Sequence, residues 1–177
     1  MSFIEDRYTN MKKKKGIIIG ALSVLLIIVI WIFGDTYSNA RGQYTKGHDQ
    51  SVEIAKEKAD LSSVDYIETF NGKTKYHIVA GENTKSEKVF VWIPQTKKGN
   101  ILVKKQKSGI TEEQAVKNVK NEHNLKEILN VQLGMDENIP VWEVKYIDEF
   151  DRFTYDFVNF YDGKIQKHMA IRNDEKS

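Results

Sequence analysis

The chain has 177 residues, a formal net charge of +2 and no cysteine. Without cysteine there is no disulfide, no thiolate metal site, no cysteine nucleophile and no lipidated-cysteine anchor. Residues 1–15 carry five basic and two acidic side chains, which leaves 22 basic and 23 acidic ones for everything after the apolar run that follows. The basic pI therefore belongs to the N-terminal end and is no sign of nucleic-acid binding, which requires a basic patch on the folded part.

Residues 16–33 read GIIIGALSVLLIIVIWIF, uncharged and with Ser23 as the one polar side chain. As a helix this run extends about 27 Å, close to the hydrocarbon thickness of a bilayer. Trp31 falls near one end, where an indole favours the interface. Lys12, Lys13, Lys14 and Lys15 precede the run, whereas Asp35, Arg41 and Lys46 are the only charges soon after it. The positive-inside rule then predicts a cytoplasmic tail over 1–15, a transmembrane helix over 16–33 and an extracellular body. A cleaved signal peptide is the alternative, with Ser38-Asn39-Ala40 as its cleavage site and Arg41 as the mature N-terminus. The apolar run exceeds the usual ~7–15 residues of a signal core, which favours a retained single-pass anchor in the cell membrane. Met11, directly before the lysines, is a second possible start. Residues 34–47, with Gly34, Gly42 and Gly47, are expected to form a stalk.

The body carries a duplicated pattern. A helix is predicted over 48–60, with Val52, Ala55 and Ala59 on one face. A second is predicted over 111–124, opened by the capping-box pattern Thr111-Glu112-Glu113-Gln114, with Ala115, Val119 and Glu122 in one stripe. Val116 and His123 broaden that stripe. Strands are expected over 64–70 and 128–133. Alternating apolar segments then follow at 76–80 and 89–93, and again at 142–146 and 153–157. The first strands of these pairs are offset by 66 residues and the second by 64. Gly99-Asn100 and Asp162-Gly163 are turn signals. Each unit reads as a helix laid on an antiparallel sheet, a two-layer α+β arrangement. The units cover 48–107 and 110–171, meet near Lys107-Ser108-Gly109, and leave 172–177 as a tail.

Alternation assigns faces. In the second unit Trp142, Val144, Tyr146, Phe153, Tyr155 and Phe157 are expected to face the helix, with Glu143, Lys145, Thr154 and Asp156 opposite. In the first unit Tyr76, Ile78, Val89, Val91 and Ile93 are expected to face the helix. The opposite face would carry His77, Val79, Phe90 and Trp92, apolar where its counterpart is polar. Such a patch marks either a covering element of the same chain or a partner site with Trp92 as anchor.

These features resemble the TseB/YpmB-like family of Gram-positive bacteria. Thr111-Glu112-Glu113-Gln114-Ala115 is similar to the start of a PepSY helix, Trp142-Glu143-Val144 to its central strand, and Tyr161-Asp162-Gly163-Lys164-Ile165 to its final hairpin. The resemblance covers residues 11 to about 171. It implies an N-terminal transmembrane helix followed by two tandem PepSY/cystatin-like domains, the first being the TseB-like N-terminal domain. It also implies a regulator of cell-wall elongation that acts with a wall-building, penicillin-binding transpeptidase, and it brings no catalytic residues.

The residues themselves point to no reaction. There is no phosphate loop, dinucleotide fingerprint or H-E-x-x-H zinc motif. The transpeptidase signature S-x-x-K is missing, and Lys73-Thr74-Lys75 is not K-T-G. His48, His77, His123 and His168 are scattered along the chain, so no metal site is expected, and no cofactor. Glu112 and Glu113 are read as charges favoured by the helix N-terminus. Asp148, Glu149 and Asp151 are read as a solvated turn rather than a cation site. The expectation is a non-enzymatic adaptor whose partner-binding residues are His77, Val79, Phe90 and Trp92. The alternative is an inhibitor or chaperone of an extracytoplasmic peptidase.

Overall fold

The structure is a computed structural model that describes residues 26, 28–31, 45–96 and 99–172. Leu26 and residues 28–31 are helical and exposed. The rest of the expected transmembrane run, the expected cytoplasmic tail and residues 34–44 of the expected stalk lie outside the described residues. Among the described residues no helix is long and apolar enough to cross a membrane.

The folded body begins at Gly47. Its elements are α1 (His48–Ala59), β1 (Leu61–Asn71), β2 (Lys75–Asn83), β3 (Lys88–Pro94) and β4 (Leu102–Lys105). A 3₁₀ turn (Gln106–Ser108) leads to α2 (Glu112–Glu122), β5 (Leu125–Asp136), β6 (Ile139–Asp148), β7 (Phe153–Asn159) and β8 (Ile165–Ile171). The strands form two antiparallel four-stranded meanders in chain order, each preceded by its helix.

Local chemistry explains the element ends. Gly47 takes φ 86° and Asp60 takes φ 50°, so α1 both starts and stops at a left-handed residue. At α2 the expected capping box is formed: the Thr111 hydroxyl accepts from Gln114 N at 3.3 Å, and the Gln114 side chain accepts from Thr111 N at 2.8 Å. Between β5 and β6, Glu137 and Asn138 both have positive φ, which gives a two-residue hairpin matched to strand twist.

The duplication is legible in the strand irregularities. The β1–β2 ladder slips between Leu61 and Ser63 and again between Val64 and Tyr66. The β5–β6 ladder slips between Leu125 and Glu127 and between Ile128 and Asn130, the same four positions displaced by 64. Registers extend the match. Ile67 pairs with Val79 and Val79 with Val91, while Val131 pairs with Val144 and Val144 with Asp156. The true offset of the second and third strands is therefore 65, not 66 and 64.

That single residue matters, because a slip of one turns every side chain to the other face. Two face assignments are corrected by it. In β2, His77 and Val79 face α1, and Tyr76, Ile78 and Ala80 share the opposite face with Phe90 and Trp92. In β7, Thr154, Asp156 and Val158 lie beside Tyr146, Val144 and Trp142 on the α2 side. Phe153, Tyr155 and Phe157 lie on the outer face with Ile147, Lys145 and Glu143.

Two apolar cores result. A small one lies under α1, where Ala55 and Ala59 meet Val79, Val89, Val91 and Ile93. A larger one runs from the far face of the first sheet into the second unit, joining Ile78, Phe90 and Trp92 to Val119, Trp142 and Phe160 among others.

Candidate functional sites

The four residues expected to bind a partner are not at the surface. Trp92 is 0% exposed and its indole Nε1 donates to Gly134 O of β5 at 3.0 Å. Phe90 meets the rings of Trp142 and Phe160 edge-on at 6.3 and 6.1 Å. Phe70 lies so close to Gly134 that an added Cβ there would meet its ring at 2.6 Å. The covering element is the second unit of the same chain. Val79 and His77 are buried on the other face of the sheet, under α1. The apolar face of the first sheet thus joins the two units and is not free for a partner.

Tertiary folding gathers the histidines into two pairs. In the first, His48 and His77 meet edge-on at 4.7 Å. His48 Nε2 is 2.8 Å from Thr69 Oγ1, and Ser51 Oγ is 2.7 Å from His77 Nδ1. Gln95 Nε2 donates to Ser51 Oγ at 3.3 Å, which leaves the hydroxyl proton free to enter His77 Nδ1. Burial, aided by His48 and Lys75, pulls His77 down to about 4. Burial likewise lowers His48. A serine beside a histidine invites comparison with a nucleophile and its base. Ser51 is 2% exposed and His77 0%, and a base held near 4 is poorly matched to neutral pH. The cluster is a neutral polar plug between the first turn of α1 and the sheet.

The second pair surrounds Asp156. His123 caps the C-terminal end of α2, and His168 stands on β8 directly opposite Asp156 in register. His168 Nδ1 is 2.6 Å from Asp156 Oδ1, and His123 Nε2 is 3.7 Å from Oδ2. Tyr146 OH donates to Oδ2 at 2.8 Å. Burial and the Asp156 carboxylate push the Tyr146 phenol well above its ordinary value, so it stays a donor. Asp156 is wholly buried, while both imidazoles reach solvent. The sequence placed Asp156 on a solvated face and the histidines apart, and both readings are overturned.

The acidic turn is solvated only in part: Glu149 and Asp151 are exposed as expected, whereas Asp148 is buried. Burial alone would raise Asp148, but the backbone N–H groups of Arg152 and Phe150 and the Arg152 guanidinium hold it below the usual carboxylate range. Glu113 is lowered by the Thr111 hydroxyl and by its own backbone, as expected of a carboxylate at a helix N-terminus.

The outer face of the second sheet carries an aromatic and lysine ladder. Lys145 Nζ lies 5.5 Å from the Phe153 ring and 5.3 Å from Tyr155, and Lys167 Nζ lies 5.1 Å from Phe157. A groove of about 440 Å³ separates this face from the β1–β2 turn, with Phe70, Lys73, Tyr155 and Met169 in its walls. No nucleophile paired with a base opens into it among the described residues. Alternation alone could have found this face had the β7 register been right.

Two family models match the chain: the cell wall elongation regulator TseB-like domain over residues 50–94, and the peptidase propeptide and YPEB domain, PepSY, over residues 109–169. A Bacillus subtilis (strain 168) protein described as "Probable cell wall elongation regulator TseB" is 35% identical over 160 residues, which is 90% of this chain and 99% of that one. The solved structure of the YpmB protein from Bacillus subtilis is 38% identical, with a TM-score of 0.69, and covers 71% of this chain and 98% of its own.

Proposed function

The chain belongs to the TseB-like family of cell wall elongation regulators, and from that premise we propose that it is a membrane-anchored adaptor that binds a peptidoglycan transpeptidase outside the cell. One observation carries the adaptor reading. The one serine–histidine contact, Ser51 with His77, is buried, and the outer relief of the second sheet is an aromatic ladder with no nucleophile–base pair beside it among the described residues. Aromatic rings and a methionine on a sheet face suit a protein partner. The transpeptidase rests on family membership, and the anchor on the uncharged run 16–33 and the lysines before it.

In this reading the ladder of Lys145, Tyr155, Lys167 and Met169 takes the role first expected of Phe90 and Trp92. Photo-crosslinking residues placed at Tyr155 and at Met169 of the full chain, in intact cells, test it. Covalent capture of a transpeptidase from both positions, and none from Lys85 on the distant β2–β3 turn, is the expected result. Capture of a secreted peptidase instead would favour the second reading, an inhibitor or chaperone, to which the PepSY match lends support. A protease added to wall-stripped intact cells should degrade the body, and full protection would remove the topology.

A further inference from the structure

We infer that His123, Asp156 and His168 form a binding site for a divalent transition-metal ion such as zinc, one that clamps α2 to the outer strand β8. One ligand atom from each of the three lies within 4.8 Å of the others. They come from three elements: the end of α2, the middle of β7 and the middle of β8. Two imidazoles and a carboxylate suit zinc with three protein ligands and an open position for water.

The ordinary alternative is a hydrogen-bonded carboxylate that needs no ion. Placement argues against that as the whole account. Asp156 is fully buried, and two rings from different elements converge on it, 4.6 Å apart with planes tilted by 32°, where a single hydrogen-bonded imidazole would satisfy the carboxylate. Neutral imidazoles and a carboxylate are the forms that ligate a divalent ion. The Tyr146 hydroxyl on Oδ2 supplies the outer hydrogen bond that orients a ligating carboxylate. His123 and His168 are 33% and 41% exposed in their side chains, so an ion can enter from solvent.

The internal repeat adds an independent observation. Where the second sheet pairs Asp156 with His168, the first sheet pairs Val91 with Val103. The shared scaffold is therefore stable with two valines in this slot, so the polar pair is no requirement of the fold.

Loading requires one change. Ligand atoms around tetrahedral zinc sit about 3.3 Å apart. The His123–Asp156 separation of 3.7 Å is near this, whereas the 2.6 Å contact between His168 and Asp156 is a hydrogen bond. As the ion takes the place of that hydrogen bond, the neutral His168 ring carries its proton on Nε2 and ligates through Nδ1.

The test uses the untagged full chain, stripped with a chelator and titrated with Zn²⁺ alone. Calorimetry should give one ion per chain. Thermal melts should shift upward with Zn²⁺ and return with chelator. His168→Ala and His123→Ala should each weaken binding at least tenfold, and Tyr146→Phe roughly 10–100-fold as loss of the outer support. Asp151→Asn, in the acidic turn of the same sheet, should leave binding unchanged. Absence of a Zn²⁺ response in the native chain would overturn the site. So would a response that survives His123→Ala/His168→Ala, whose exposed positions make misfolding a poor explanation.

Discussion

The two units share bulges, registers and helix placement, yet they bury polar groups at opposite ends. The first places Thr69 and His77 where the second has Leu133 and Trp142. The second places Asp156 and His168 where the first has Val91 and Val103. Each slot thus appears in both an apolar and a polar form on one scaffold. The polar form is additional to what folding demands, and what it adds is answerable by exchange. The sheets differ a second way: the far face of the first is closed by Phe90 and Trp92 against the second unit, while the far face of the second is covered only in part, with Phe157 buried and Tyr155 and Lys145 half-buried.

The largest expected effect lies at the seam. Trp92→Ala should lower the stability of the whole chain by about 3–5 kcal/mol, since it empties a core position and orphans Gly134 O. Denaturant melts measure this, and a loss under 1 kcal/mol would separate the units energetically.

Next comes acid. His77 is held near 4 in the folded chain against 6.5 when exposed. Between those values the unfolded chain binds more protons, so stability is full above about 6.5 and falls as pH drops toward 4. The loss from this residue is roughly 3 kcal/mol. His77→Leu, which leaves nothing to titrate in the slot, should flatten that part of the pH profile; an unchanged slope would place the acid sensitivity elsewhere.

Exchanging the second cluster sharpens the comparison from the other side. Asp156→Val with His168→Val and Tyr146→Phe installs the apolar pair of the first sheet without orphaning the Tyr146 hydroxyl, and should be neutral or stabilising by on the order of 1 kcal/mol, as replacements of buried charge by packed apolar groups often are. Clear destabilisation in thermal melts would show that the two slots are not equivalent. Smallest of all, Thr111→Ala should cost about 1 kcal/mol by removing the α2 cap, whereas α1, which has no side-chain cap, offers no equivalent loss.

Much of this architecture was legible in the residues. The capping box, the turn at Asp162-Gly163, the alternation of the strands and the duplication itself all rest on local chemistry. The faces of β2 and β7 were not, because the turn from Met135 to Pro140 holds one residue more than its counterpart from Asn71 to Lys75, and an offset wrong by one residue reverses a strand. The stripe of α1 was read in part. Ala55 and Ala59 are buried as expected, but the buried side also runs through His48 and Ser51, which look solvent-facing until Thr69, His77 and Gln95 are brought beside them. The histidine pairs are separated by 29 and 45 residues in sequence and joined only by sheet register, so spacing could not reveal them. The covering of Trp92 by the second unit was one of two outcomes the patch allowed, and only packing decides between them.

The account stands on the two units being one body, joined through Phe90 and Trp92, with the second sheet's outer face left for a partner. Native-state hydrogen exchange on the full chain tests this most directly. The amides of β2 and β3 should share their opening free energy with those of β5 and β6, and Trp92→Ala should lower both sets together. Exchange of the first sheet at its own lower free energy, with the second sheet unaffected by Trp92→Ala, would contradict it.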